Sequence, residues 1–409
     1  MADLFYKDPH SGVPKILFIG LSQSTHTHAW IDLLSNAKFN VRLFSLPGGT
    51  PPVDWPVKTY LSGFLAGRNS EKRKYMYSGL VGKLILLFDK LLSKLKKSPI
   101  KNKERWLAEI IKEWRPDIIH TLGLFDDQGG EMYLKTRQKF NLQGIGKWIL
   151  QTRGGSDMTL RRHNTAFVPI LKQALGECDR IISDNKANIR YAEELGISLE
   201  KFAPIVPVPG TGGIDIPELS KDTIPPSHRE RIILWPKAYE SQWSKALPVL
   251  EAIQLAWDKI FPCEIYMLAT TPEVREWYLT LPEKIRAHCH VQERIARKDV
   301  FPLMKRSRIL LIPSLVDGVP NSLYEAMACG AFPIVSPLET IQSVVTDPQN
   351  VLFARNLYPN EIADALIKAM NDDTLVDDVA CNNLVLVHEI ANRETISSRV
   401  VDYYHSIAG

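Results

Sequence analysis

A short apolar run that stops at glycine or polar residues, followed by a segment of helical apolar period, recurs along this sequence and limits the folds open to it. Its first instance is Lys15-Ile-Leu-Phe-Ile-Gly20, then the polar loop Ser22 to His28, then an apolar-periodic stretch around Trp30 to Leu34. That is a βα unit. Similar runs follow at Val41 to Leu46, Asp117 to Thr121, Trp148 to Thr152 and Arg180 to Ser183. A second series comprises Ile232 to Trp235, Glu264 to Leu268, Ile309 to Ile312, Phe332 to Val335 and Val351 to Phe353. Strands alternating with helices imply parallel sheets covered on both faces. The expected class is therefore α/β, with two doubly wound parallel-sheet domains, and 409 residues suffice for two cores. Residues 1–205 form the expected first domain and 229–392 the second. Between them the proline-rich stretch 206–228, with Gly210-Thr-Gly-Gly-Ile-Asp215, is expected to be a linker with few regular contacts. Ligands of such sheets sit beyond the carboxyl ends of the strands, which places the site in the cleft between the domains.

Composition removes several classes. Hydrophobic residues are 45% and charged residues 23% of the chain, which excludes a disordered, collagenous or disulfide-scaffold protein. The cysteines Cys178, Cys263, Cys289, Cys329 and Cys381 are scattered and form no Cys-x-x-Cys pair, as reduced thiols of a cytosolic compartment would be. The start, Met-Ala-Asp-Leu-Phe-Tyr-Lys-Asp, lacks the basic and then apolar pattern of a secretion signal. Apolar runs such as Leu84 to Phe88 fall far short of the roughly 20 residues that span a bilayer. A cytoplasmic location is the expectation. A formal net charge of +4 and the absence of a tryptophan-rich stacking run point away from a nucleic-acid partner.

The charge is nevertheless uneven. Residues 68–105 hold twelve Lys or Arg against three acids, a local net of +9. Within them Leu80, Leu84, Phe88, Leu91 and Leu95 recur at three- and four-residue spacing, with Lys83, Lys90, Lys94 and Lys97 largely elsewhere. Two readings stand: a domain helix with its leucines in the core, or an amphipathic helix on an anionic membrane surface at the inner face of the membrane.

The stretch richest in chemistry is Pro313-Ser-Leu-Val-Asp-Gly-Val-Pro-Asn-Ser-Leu-Tyr-Glu-Ala-Met-Ala-Cys-Gly330. It follows an apolar strand, turns at Asp317-Gly318 and reads as a helix that starts near Pro320 and ends at Gly330. The exposed amides of Asn321, Ser322 and Leu323 would carry the positive end of the helix dipole, which suits a diphosphate. Glu325 lies one turn or so along, roughly 7.5 Å by helix rise, where a ribose attached to that diphosphate would be.

This stretch resembles the signature of group 1 glycosyltransferases, the retaining, sugar-nucleotide-dependent and family 4-like enzymes of the GT-B fold. Their pattern is a Glu-Gly-Phe-Pro turn, a second Glu eight residues later, Ala-Met-Ala-x-Gly and a Pro-Val strand. This chain has Asp317-Gly-Val-Pro, Glu325-Ala-Met-Ala-Cys-Gly and Phe332-Pro-Ile-Val. The first acid is one methylene shorter than the family's Glu. Pro116-Asp-Ile-Ile-His120, Gly212-Gly-Ile-Asp215, Val351 to Ala369 and the tail Arg393 to Ile407 match in the order the family requires. The resemblance implies two facing Rossmann-like domains, with the last helix, 393–409, crossing back to the first.

It also implies roles. Asp317 takes the place of the acid that contacts the donor sugar, and Glu325 that of the ribose ligand. Lys237 and Lys245 stand where the family carries an Arg and a Lys that stabilise the departing diphosphate, with Ala238 to Trp243 as an inserted turn. Arg153, in Thr152-Arg-Gly-Gly-Ser-Asp157, occupies the place of a histidine near the reacting sugar, where an arginine can bind sugar or phosphate but not act as a base. Gly20 and the Ser22 to His28 loop, with His26 and His28, would face donor phosphates and acceptor. No Asp-x-Asp triplet is present, and His288-Cys289-His290 lacks a partner pair at ligand spacing, so no metal cofactor is expected. Neither a Gly-x-x-x-x-Gly-Lys-Ser/Thr loop nor Gly-x-Gly-x-x-Gly occurs.

The implied activity is transfer of a sugar from a nucleoside-diphosphate sugar to a hydroxyl of a glycan or lipid-linked acceptor, with retained configuration. A sugar-nucleotide epimerase or hydrolase on the same fold, and a catalytically silent sugar-nucleotide-binding subunit, are the alternatives.

Overall fold

The computed structural model describes residues 4–66, 69–94, 102–125, 129–293 and 295–409, and the side chains of these except at 93–94, 155–157 and 297–298. The first sheet contains β1 (Lys15–Gly20), β2 (Asn40–Ser45), β3 (Lys58–Leu65), β4 (Arg73–Ser78), β5 (Ile118–Thr121), β6 (Lys147–Thr152) and β7 (Arg180–Ser183). Its spatial order is β4-β3-β2-β1-β5-β6-β7, all parallel. The second sheet contains β8 (Glu230–Trp235), β9 (Glu264–Met267), β10 (Cys289–Val291), β11 (Ser307–Ile312), β12 (Phe332–Val335) and β13 (Leu352–Phe353). Its order is β10-β9-β8-β11-β12-β13, again all parallel. The strand order reverses beside β1 in one sheet and beside β8 in the other, and at such a reversal the loops diverge and leave a crevice.

Both sheets are covered on both faces, which is why their strands read as unbroken apolar runs. In β1, Leu17 and Ile19 enter one core cluster and Ile16 and Phe18 another. In β11, Ile309 and Leu311 face one side and Leu310 and Ile312 the other.

The apolar-run reading misses β3, β4 and β10. Gly63 interrupts the first, and the second begins Arg73-Lys74, as suits an edge strand that must repel further pairing. The Arg73 guanidinium donates to the carbonyls of Pro52, Trp55 and Val57, tying this edge to the preceding loop. The basic segment 68–105 therefore opens with a strand. The helix that follows spans Gly79–Lys94, and Leu95 to Lys101 lie outside the described residues, as does Arg68.

The stretch 206–228 is not a slack connection. Ile214, Ile216 and Leu219 are buried in the core cluster that carries Leu323 and Met327 of the second domain, and the short helix Ile216–Ser220 forms there. The final helix, Arg393–Ala408, lies on the first sheet, with Ile396, Val400 and Tyr404 packed among Ile16, Phe18 and Ile118. Tyr404 Oη receives the Trp30 indole N–H at 3.0 Å and lies 2.6 Å from His120 Nδ1. Where the chain passes between domains, Ile214 and Asn392 form a small parallel bridge: Ile214 N donates to Ala391 O and Arg393 N to Ile214 O.

Candidate functional site

A cleft of about 790 Å³ opens between the carboxyl ends of the two sheets. The first domain contributes Gly20, Thr25, His26, Arg153, Gly154 and Asp184, and the second Lys237, Asp317, Gly318, Asn321, Ser322 and Glu325.

The second-domain wall is built by the turn after β11. Asp317 Oδ1 accepts from the Gly318 amide at 2.9 Å, and the Thr340 hydroxyl donates to the Asp317 carbonyl, so the turn is pinned from both sides. The helix Asn321–Cys329 then begins behind Pro320, whose extended backbone makes it the N-cap, and ends at Gly330, held in the left-handed region at φ 70°. The amide of Leu323 donates to Pro320 O at 2.9 Å, and its side chain is fully buried. Leu323 is thus not one of the open amides expected, because the first turn closes on it. Among the described residues, no acceptor takes the Asn321 or Ser322 amide. The Ser322 hydroxyl is buried and also without a partner there. The Asn321 side chain is committed to Thr211 at 3.0 Å. Glu325, 8% exposed, sits one turn on and faces the cleft.

Lys237 follows β8 and places Nζ 2.9 Å from Asp317 Oδ2. Burial works against its charge, but Asp317, with Tyr239 and Glu325 around it, outweighs burial and raises the ammonium above the ordinary lysine value. A half-buried cation stays charged at the cleft wall. Lys245 does not join it. Its Nζ bonds the Glu240 carboxylate, whose other oxygen receives the Ala246 amide, so the inserted turn closes on itself and Lys245 does not line the cleft.

In the first domain, Gly20 ends β1 where an added Cβ would stand 3.3 Å from Leu122, so this wall is tightly packed. Arg153 reaches the cleft after β6 and donates to Gln151 at 2.7 Å. Burial, reinforced by Arg153, holds His120 well below the ordinary histidine range, so it is neutral at pH 7. His26 lines the cleft, whereas His28 bonds the Ser22 carbonyl at 2.6 Å and rests on Trp55.

Asp184 is the site residue that motif reading misses. It is 6% exposed, accepts from Gly154 N at 2.8 Å and from the amides of Asn185 and Asn188, and burial pushes its carboxyl up to about 6. A lone Asp belongs to no motif, but it directly follows β7, whose last residue Ser183 pairs with Thr152 beside Arg153. Strand order is the signal that finds it. Across the cleft a Cβ on Gly318 would meet Gly154 Cα at 2.5 Å and Asp184 at 2.8 Å, so the two walls touch at a pair of glycines.

At the edge of the second sheet, His288 and His290 lie 2.7 and 2.8 Å from the two oxygens of Glu264. No group able to hold a metal occurs among the described residues.

Residues 230–372 match the family model described as Glycosyl transferases group 1. A Campylobacter jejuni protein, N,N'-diacetylbacillosaminyl-diphospho-undecaprenol alpha-1,3-N-acetylgalactosaminyltransferase, is 28% identical over 87 residues, which are 21% of this chain and 23% of that protein. The chain thus spans under a quarter of the curated relative it matches. Among solved structures, Anabaena Alr3699/HepE in complex with UDP and glucose is similar with a TM-score of 0.67 at 13% identity, over 96% of this chain and 100% of that one. The apo form of the lipopolysaccharide outer core galactosyltransferase WaaB gives a TM-score of 0.63 at 13% identity, over 96% of this chain and 99% of its own. These are likenesses of fold: the two parallel-sheet α/β domains match those of GT-B glycosyltransferase structures.

Proposed function

We propose that this chain is a glycosyltransferase that moves a sugar from a nucleoside diphosphate to an acceptor hydroxyl with retention of configuration, in the making of a polysaccharide or glycoconjugate. One observation carries the reading. Asn321 and Ser322, with their open amides, and Glu325 line one cleft, with the Lys237 ammonium at its wall. That is an anion site beside a hydroxyl acceptor, the two chemistries a nucleoside diphosphate requires.

In this mechanism Glu325 accepts from the ribose hydroxyls while the helix start holds the diphosphate. As the bond between the anomeric carbon and the phosphate oxygen breaks, negative charge grows on the leaving diphosphate and Lys237 meets it. Asp317 keeps Lys237 aimed and orients the donor sugar. The acceptor hydroxyl attacks from the face the leaving group vacates, its proton passing to a leaving phosphate oxygen. Arg153 reaches the sugar or its phosphate from the opposite wall. Lysine and helix amides answer the diphosphate charge here, so the proposal includes no divalent metal. The Campylobacter jejuni relative is named for a lipid-diphosphate-linked acceptor, and the Anabaena structure holds UDP and glucose. We assign this chain the same classes: a nucleotide sugar as donor and a glycan or lipid-linked saccharide as acceptor.

The test is a thermal-shift panel of nucleoside diphosphates and their sugars, because a ligand of the folded form alone raises its melting temperature. At least one diphosphate should stabilise the wild type and do so less in Glu325→Gln. Equal binding by both proteins would remove the ribose assignment. Product analysis with and without acceptors then decides the reaction, and sugar release or epimerisation that ignores every acceptor would replace transfer by one of those activities.

A further inference from the structure

The helix Gly79–Lys94 wears its apolar stripe on the outside. Leu80, Leu84, Leu87, Phe88 and Leu91 fall within an arc of about 100° on a helix of 3.6 residues per turn. Their exposures are 83%, 68%, 54%, 50% and 53%. The opposite side faces the protein. A Cβ on Gly82 would stand 2.8 Å from the Tyr77 carbonyl carbon, and Asp89, 5% exposed, accepts from the Tyr77 hydroxyl at 2.9 Å. A carboxylate is turned in and leucines are turned out, the reverse of a helix that serves a core.

Lys83 and Lys90 are exposed on one flank of the stripe, within a segment of net charge +9. No helix among the described residues is long and apolar enough to cross a membrane. We propose that this stripe docks on an anionic lipid surface, the leucines and Phe88 entering the acyl boundary and the two lysines meeting headgroups. A second copy of this chain is the poorer occupant, because a self-complementary contact would bring two sets of lysines to the rim of one apolar seam. The inference stands apart from the transferase reading and is measured without nucleotide or acceptor.

The experiment is flotation of the full chain with vesicles of phosphatidylcholine, alone or with about a third phosphatidylglycerol, at near-physiological salt. The wild type should float with the anionic vesicles and stay behind with the neutral ones. The double variant Leu84→Glu, Phe88→Glu should bind at least about tenfold more weakly with an unchanged melting temperature, since both side chains point away from the fold. Lys83→Glu and Lys90→Glu should each cost about fivefold. Should the double variant melt early, Leu91→Ser read in the same way takes its place. Absence of wild-type flotation, or equal flotation of the outward variants, overturns the proposal. So does a wild-type dimer, seen by light scattering and dissolved by Leu84→Glu, that ignores vesicles.

Discussion

Two helices of this protein carry an apolar period, Asn321–Cys329 at the cleft and Gly79–Lys94 at the sheet edge, and they use it in opposite directions. In the first, Leu323, Tyr324, Ala326 and Met327 are at most 3% exposed, and an acid, Glu325, is left facing the cleft. In the second, the leucines face out and the acid, Asp89, is the buried anchor. Period alone specifies a stripe; what lies behind the helix decides which way the stripe turns. Behind Asn321–Cys329 is the covered face of a central strand, and behind Gly79–Lys94 is an edge strand whose Tyr77 hydroxyl donates to Asp89.

The contrast can be broken by mutation. Leu323→Ala should cost about 2–5 kcal/mol of unfolding free energy in a urea titration, the usual toll of a buried leucine cavity. Leu84→Ala, the same chemical change in the outward stripe, should stay within about 0.5 kcal/mol. Equal losses would mean that the second helix is packed after all. The turn at Asp317-Gly318 leans on Asp184, and there pH sharpens the picture. A carboxyl raised from its ordinary value to about 6 makes the folded state prefer the proton. Its contribution is full below pH 4 and lost as pH rises to about 6. Wild-type stability should therefore carry a downward component of roughly 2–3 kcal/mol over that window, and Asp184→Asn should lack it in a pH series of denaturant midpoints. Asp89→Ala, which removes the acceptor of the Tyr77 hydroxyl, should cost about 1–3 kcal/mol. A further expected effect is on binding rather than folding. Glu325→Gln should leave the urea midpoint in place and weaken nucleoside diphosphate binding about tenfold by calorimetry, the worth of a charged hydrogen bond.

Much of this architecture was legible because parallel strands buried on both faces must be apolar throughout. All of the runs from Lys15-Ile-Leu-Phe-Ile-Gly20 to Val351 to Phe353 are strands for that reason. The edge strand β4 was not, since Arg73-Lys74-Tyr75 answers to solvent and to carbonyls of a loop rather than to a core. At the cleft, Glu325 and the Asp317 turn were readable because one contiguous strand, turn and helix places them. Lys245 was misread because its fate rests on Glu240, an acid whose reach toward it appears only once the turn is folded. Asp184 escaped because neighbouring strand ends, far apart in sequence, bring it to Gly154.

The backbone passes between the halves twice, and the passes are stitched together where Ile214 meets Ala391 and Arg393. Two straps fastened at one point let a pair of bodies swing but resist their sliding apart. An opening of the gap by rotation about that stitch would carry Arg153 and Asp184 away from Lys237 and part Gly318 from Gly154.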